Sequence, residues 1–193
     1  MYGGFVMTSK RCQWVDEKDA LMVQYHDTEW GHPEHRDQML FELLSLETYQ
    51  AGLSWRTVLH KRQAFRQAFA NYDLEQVAQY TEANIEQLMQ DPTIIRNRLK
   101  LQATINNAQV ILALQQTGQS FDQWLWAFVD NQTIDHHVIN YQEVPAKDDL
   151  ATSVSKAMKK IGLKFVGPVT IYSFLQAAGL INDHEMTCPY HRR

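Results

Sequence analysis

The sequence predicts an all-α protein. Apolar residues recur at i, i+3 and i+4 through most of the chain, which is the repeat of a helix buried on one side. Ser, Asp or Asn stands ahead of several of these stretches and glycine follows them, as helix starts and stops require. No run alternates β-branched with polar residues, so nothing reads as a half-buried strand.

Taken in order, Asp19 opens an amphipathic stretch to about Trp30, and "WGHPEH" interrupts it. A longer helix is predicted from about Arg36 to Gln50, ended by Gly52, which can adopt the left-handed conformation. Ser54 then caps a helix whose Trp55, Val58, Leu59, Phe65 and Phe69 repeat at helical spacing. Asp73 with Gln76, and Ser120 with Gln123, have the spacing of capping boxes before apolar runs. Ile94 to Gln116 reads as one long helix closed by Gly118, and Val129 to Asp149 as an irregular stretch. "MKKIGLKFVGPVTIYSFLQAAG" reads as a helix to about Gly162, a turn from Lys164 to Gly167, and a helix with Pro168 in its first turn. No repeat of about 20–50 residues and no low-complexity linker is present.

With 193 residues and 45% hydrophobic composition, the chain can bury a substantial core as one domain or two small lobes. A net charge of −4 argues against a generally basic nucleic-acid binder, yet the cations cluster. Arg56, His60, Lys61, Arg62 and Arg66 form one group, Arg96, Arg98 and Lys100 a second, and Lys156, Lys159, Lys160 and Lys164 a third, so a local basic face stays open. There is no apolar run of about 20 residues to span a membrane. "MYGGFVMTSK" lacks a charged and apolar signal pattern, so a cytoplasmic protein is expected, with a flexible leader over residues 1–10 and a single helical domain over 11–193.

One carboxylate is out of place. Leu40, Leu43, Leu44 and Glu47 fall at i, i+3, i+4 and i+7, so Glu47 shares a face with three leucines. A buried carboxylate without a partner costs several kcal/mol, on the scale of a domain's whole margin of stability. Either Glu47 lies in a last, exposed turn, or a cation satisfies it, or it titrates, or it stands at a cavity wall. Trp14, Tyr25, Trp30 and Trp55 lie nearby in sequence. Such aromatics build a core; beside a carboxylate they also make a platform for a flat cation, since π faces attract positive charge.

The two cysteines, Cys12 and Cys188, lie near opposite ends of the chain, each with a histidine available: His26 for Cys12, and His184 four positions before Cys188. Two thiolates and two imidazoles complete a tetrahedral Zn²⁺ site, and one so filled is structural rather than catalytic. The alternative is a pair of isolated buried thiols. "DHH" at Asp135 to His137 is shared with metal phosphodiesterases, although a lone tripeptide in a loop is weak evidence. His32 and His35 flank a proline turn and read as surface residues, and Asp183 beside His184 reads as an orienting neighbour or a general base. No GxSxG, P-loop or GxGxxG occurs. The glycine-bearing turn before Pro168 can bring backbone N–H groups and a helix N-terminus to a phosphate oxygen, with Lys164 adding Coulomb attraction, or it is an ordinary αα-corner.

Together "RCQWV", "YHDTEWG", "LLSLETYQAGLSWRTVLHKR", "IIRNRLK", "KFVGPVTIYSFLQAAGLINDH" and the closing His184–Cys188 pair resemble the 3-methyladenine DNA glycosylase I family, from about Arg11 to Cys188. The resemblance implies the helix-hairpin-helix glycosylase fold and a structural zinc on Cys12, His26, His184 and Cys188 that joins the termini. It implies a base pocket lined by Glu47, Tyr25 and Trp55, with Trp14 and Trp30 close by. It also implies hydrolytic excision of 3-methyladenine from alkylated double-stranded DNA by a monomer, releasing the free base and leaving an abasic site without strand cleavage. Glu47 is then the candidate catalytic residue. Gly52 and Leu53 are candidates for the wedge that fills the vacated stack, and Lys164 and Gly167 for phosphate contacts. The family lacks its superfamily's usual catalytic aspartate, for which Asp183 is the nearest candidate here. Two other readings compete: a zinc-clipped protein that binds damaged or single-stranded DNA without chemistry, and a zinc nuclease using "DHH". A metal site closed by four protein ligands disfavours the second.

Overall fold

The computed structural model describes residues 10–191, and these are mainly helical. Residues 1–9 of the expected leader lie outside the described residues. The helices are α1 (Ala20–Thr28), α2 (Asp37–Gln50), α3 (Trp55–Ala68), α4 (Leu74–Ala78), α5 (Glu82–Gln90), α6 (Arg98–Gln116), α7 (Phe121–Trp126), α8 (Asp149–Ile161) and α9 (Pro168–Ala177).

Their starts follow the side chains that cap them. Asp19 accepts from the amides of Leu21 and Met22, Ser54 from that of Thr57, and Asp73 from that of Gln76. Ser120 and Gln123 form a reciprocal capping box, as expected. The long sixth helix begins later than expected, because Asn97 rather than Ile94 caps it, accepting from the amide of Lys100. Ile94 is buried ahead of the helix, so its apolar side chain extends the helical pattern without belonging to it.

The central helix is α2. Leu40 to Tyr49 are buried without interruption, which marks a helix covered on all sides. It packs against α3, α6, α7 and α9. Asp37 fixes one end of it, accepting from the amides of Phe121 and Asp122 at the start of α7. A main core runs from Leu40 through Phe65, Leu101, Phe121 and Val154 to Leu175. A second cluster gathers Cys12, Met22, Tyr25, Trp30, Leu59 and Cys188, with Trp14, Trp55, Tyr141 and Tyr190 packed on it.

Two features depart from the sequence reading. Ile134–Asp135 and Ile181–Asn182 pair as a minimal parallel ladder, β1 and β2, inside and beyond the expected irregular stretch. Two residues per strand are too few for alternation to show in a sequence. The first cationic cluster is also largely neutralised within the protein. Arg62 and Arg66 both turn inward to Glu42, Arg62 also reaches Glu29, Arg56 meets Asp16 and Asp19, and His60 meets Asp19. Arg98 pairs with Glu82 and Glu86. Lys156, Lys159, Lys160 and Lys164 carry no ion pair among the described residues.

Candidate base pocket and metal cluster

Helices α1, α2, α3 and α9 and the loop carrying Tyr141 surround a cavity of about 320 Å³. Its lining contains the five residues singled out in the sequence, Trp14, Tyr25, Trp30, Glu47 and Trp55. Tyr25 and Trp55 lie with ring centroids 5.0 Å apart, and Trp14 meets Trp30 edge-on at 5.0 Å. Glu47 is buried at the cavity wall, so the exposed-turn reading of it fails. Its Oε2 has no hydrogen-bond partner, and burial pushes the carboxyl up to about 8. The indole nitrogens of Trp14 and Trp55 are likewise buried and unpaired. Unpaired buried polar atoms are rare in folded proteins. Three of them around one cavity give it donors and an acceptor for a flat polar ligand.

Sequence reasoning missed several wall residues: Met22, Gln50, Tyr141, Ser173 and Gln176. Gln176 carried the signal that exposed Glu47, a polar residue inside an apolar helical run ("SFLQAAG"). Tyr141 carried none, because it enters from a loop. Gln176 donates to Asp183 at 2.6 Å, and the same buried carboxylate accepts from Tyr172 at 2.7 Å and hydrogen-bonds Nδ1 of His136 at 2.7 Å. Asp183 therefore neither orients His184 nor faces the aromatic platform. It lines a separate cavity of about 500 Å³ beside residues 136–148.

Cys12, His26, His184 and Cys188 do converge. Their donor atoms lie within 4.8 Å of one another, and all four residues are buried. The cysteines are not disulfide-bonded. Cys188 Sγ lies 3.6 Å from His26 Nε2. Nδ1 of His26 is held by Asp27 at 2.8 Å, and Nδ1 of His184 by Asn182 at 3.1 Å, so each ring turns its Nε2 toward the cluster. Burial lowers His184 to about 4, which keeps it a neutral imidazole, and its Nε2 is buried without a hydrogen-bond partner. The hydrogen bond between the two thiols pulls Cys188 down and, with burial, pushes Cys12 well above the usual thiol range, so the pair shares one proton that a bound divalent ion would displace. Neutral imidazole and thiolate are the forms that bind metal, so the donor set fits a divalent ion. Gly31 is required beside it, since a Cβ there would meet the His184 ring at 2.8 Å, and its φ is +72°.

Around the cluster, Arg11 clamps Asp27 in a two-pronged ion pair. Buried Glu185 accepts from the amides of Gln13 at 2.9 Å and Tyr141 at 3.1 Å. Residues 11–13, the Tyr141 loop and residues 181–188 are thus one fabric with the aromatic cavity. "DHH" makes no comparable site: Asp135 receives the amide of His137 and meets His191, while His136 turns to Asp183. Among the described residues, the Cys/His group is the only one of three or more His, Cys, Asp or Glu side chains placed to hold an ion.

The remaining candidates sit at turns. Gly52, with φ +86°, and Leu53, 43% exposed, form the link between α2 and α3. Lys164 and Phe165 are exposed on the turn between α8 and α9, and Gly167 caps α9 with Pro168 following. Asn107 of α6 holds that turn at both the amide and the carbonyl of Lys164.

A family model described as methyladenine glycosylase matches residues 14–192. The chain belongs to the methyladenine glycosylase family. A DNA-3-methyladenine glycosylase of Haemophilus influenzae is 43% identical over 179 residues, covering 93% of this chain and 96% of that protein. Among solved structures, a 3-methyladenine DNA glycosylase I superposes with a TM-score of 0.92 at 44% identity, covering 95% of this chain and 100% of that one. A variant of such an enzyme in complex with 3-methyladenine superposes with a TM-score of 0.89 at 41% identity, covering 91% and 95%. This methyladenine glycosylase family member is a glycosylase enzyme, and no described helix is long and apolar enough to cross a membrane.

Proposed function

We propose that this protein extrudes a 3-methyladenine nucleotide from alkylated double-stranded DNA and hydrolyses its glycosidic bond, leaving an abasic site and an unbroken strand. The observation that carries the reading is Glu47, a buried carboxylate with one unpaired oxygen in the wall of an aromatic cavity.

The chemistry explains why a carboxylate stands there. N3-methylation places positive charge on the base, and a desolvated anion discriminates a cation from neutral adenine far more strongly than it could in water. The alkylated base leaves neutral, so the bond breaks with little acid assistance. What the site must supply is extrusion, selection and a positioned water. Glu47 receives the base edge, Trp55 and Tyr25 stack on it, and Trp14 and Trp30 complete the aromatic wall. Leu53, presented by Gly52, fills the vacated stack. Lys164 and the amides around Gly167, in a helix-hairpin-helix formed by α8 and α9, hold backbone phosphate. No lysine lines the cavity among the described residues, which favours water over a Schiff-base nucleophile. Asp183, already engaged by three donors, is read as a structural acceptor.

Zn²⁺ is the ion assigned to the Cys/His group. Two thiolates and two imidazoles leave no open position, so its contribution is to hold residues 12 and 188 together beside the pocket. Residues 11–193 act as one monomeric domain in the cytoplasm. The deciding experiment incubates the protein with methylated DNA, identifies the released base by chromatography and adds borohydride. Free 3-methyladenine with no trapped adduct is expected. A trapped covalent complex, or DNA binding without base release, would overturn the reading.

A further inference from the structure

The buried ammonium of Lys100, in the first turn of α6, donates to the carbonyl oxygens of Tyr49 at 3.2 Å and Ala51 at 2.9 Å. These belong to the end of α2, where helix geometry leaves carbonyls without intrahelical donors and a cation is favoured. Ala51 turns sharply out of the helix at ψ 111°, and the link beyond it keeps one backbone bond, from the amide of Leu53 to Gln50 at 2.7 Å. Little else anchors a turn whose tip is an exposed leucine. Lys100 does not serve Glu47, whose upward shift has burial as its only cause. An apolar side chain could fill the same space without burying a charge. The ammonium therefore does something that packing alone would not.

We propose that Lys100 is a positioning residue for base extrusion: it pins the α2 terminus so that Leu53 is held rigidly for insertion while Glu47, one turn earlier on the same helix, meets the extruded base. The proposal rests on the assignment of Leu53 as the wedge.

The test uses the full chain with Lys100→Met, Lys100→Arg, Leu53→Ala and the Met/Ala double variant. Affinity for free 3-methyladenine is measured by titration, extrusion by 2-aminopurine fluorescence beside the lesion, and excision by single-turnover release. Lys100→Met is expected to bind the free base within about twofold of wild type and to lose about tenfold or more in excision, the scale of a charge-assisted hydrogen bond, with the fluorescence rise reduced alike. Lys100→Arg should restore most of the loss. The double variant should be no slower than the slower single variant, since both changes act on one device. The proposal is overturned if Lys100→Met excises normally, if it loses base affinity in the same proportion as excision, if the two losses multiply, or if Leu53→Ala has no effect. Failure of the wild type to release any base would bring down the functional reading itself, and is seen before any variant is compared.

Discussion

Asp27 accepts from Nδ1 of His26 at 2.8 Å, and that bond commits the opposite ring nitrogen to the cluster with Cys188. Burial alone would raise the Asp27 carboxyl, but Arg11 and His26 outweigh it and hold it down at about 2. The ring is thus oriented by a permanent anion. Elemental analysis of protein purified without chelator should find about one zinc per chain. Asp27→Asn should weaken zinc retention in a chelator competition by about tenfold to a hundredfold. Cys188→Ser should lower the thermal midpoint. Metal-free wild-type protein of unchanged stability would remove the zinc assignment.

The Glu47 carboxyl is neutral in the empty pocket below about pH 8 and ionises against an entering cationic base; Glu47→Gln keeps the shape of the pocket and deletes that charge. A charge-assisted hydrogen bond in a desolvated site contributes roughly 1.5–3 kcal/mol. Affinity for free 3-methyladenine should therefore fall about tenfold to a hundredfold, while excision slows but persists because the glycosidic bond is labile. Trp55→Ala should weaken base binding by loss of stacking alone. Normal base binding with no turnover in Glu47→Gln would make Glu47 a catalytic base instead.

The same carboxyl makes stability depend on pH. Its folded value is raised from 4.5 to about 8. Below pH 4.5 both states are protonated and the buried group costs little. Between there and about pH 8 the unfolded chain ionises while the folded one holds its proton, so stability declines as pH rises, by on the order of a few kcal/mol. Glu47→Gln removes this dependence. Its thermal midpoint should match wild type near pH 4.5 and exceed it increasingly toward pH 8; parallel midpoints across that window would mean that Glu47 has a partner.

Lys164 and Gly167 can be separated by salt titration. A Cβ at Gly167 would meet nothing within 4 Å and the backbone there is ordinary, so Gly167→Ala should leave the thermal midpoint unchanged. Any loss of DNA affinity in that variant is then steric exclusion of phosphate. Lys164→Ala should reduce the slope of log affinity against log salt by roughly one. An unchanged slope would place the phosphate contact on another residue.

Most of this architecture was legible because helices advertise themselves. Asp19, Ser54 and Ser120 cap where they were expected to, and Gly52 is left-handed where a helix had to stop. The aromatic wall was legible because its members crowd into one segment with Glu47. What stayed hidden depends on the third dimension. Glu185 joins three segments through one carboxylate, Tyr141 reaches the cavity from a loop without pattern, and Arg62 looks like a surface cation until it meets Glu42. Asp183 misled because adjacency in sequence suggested service to His184, whereas Asn182 performs it.

The bond from the Glu185 amide to Cys12 Sγ, at 3.4 Å, ties the first described loop to one of the final segments. During synthesis on a ribosome, then, Trp14 can meet Tyr25 and Trp30 early, but residues 12–13 and the Tyr141 amide gain their bonds to Glu185 only after that residue has cleared the exit tunnel. A nascent chain stalled before that point lacks these bonds, so the Tyr141 side of the cavity is the last to be fastened.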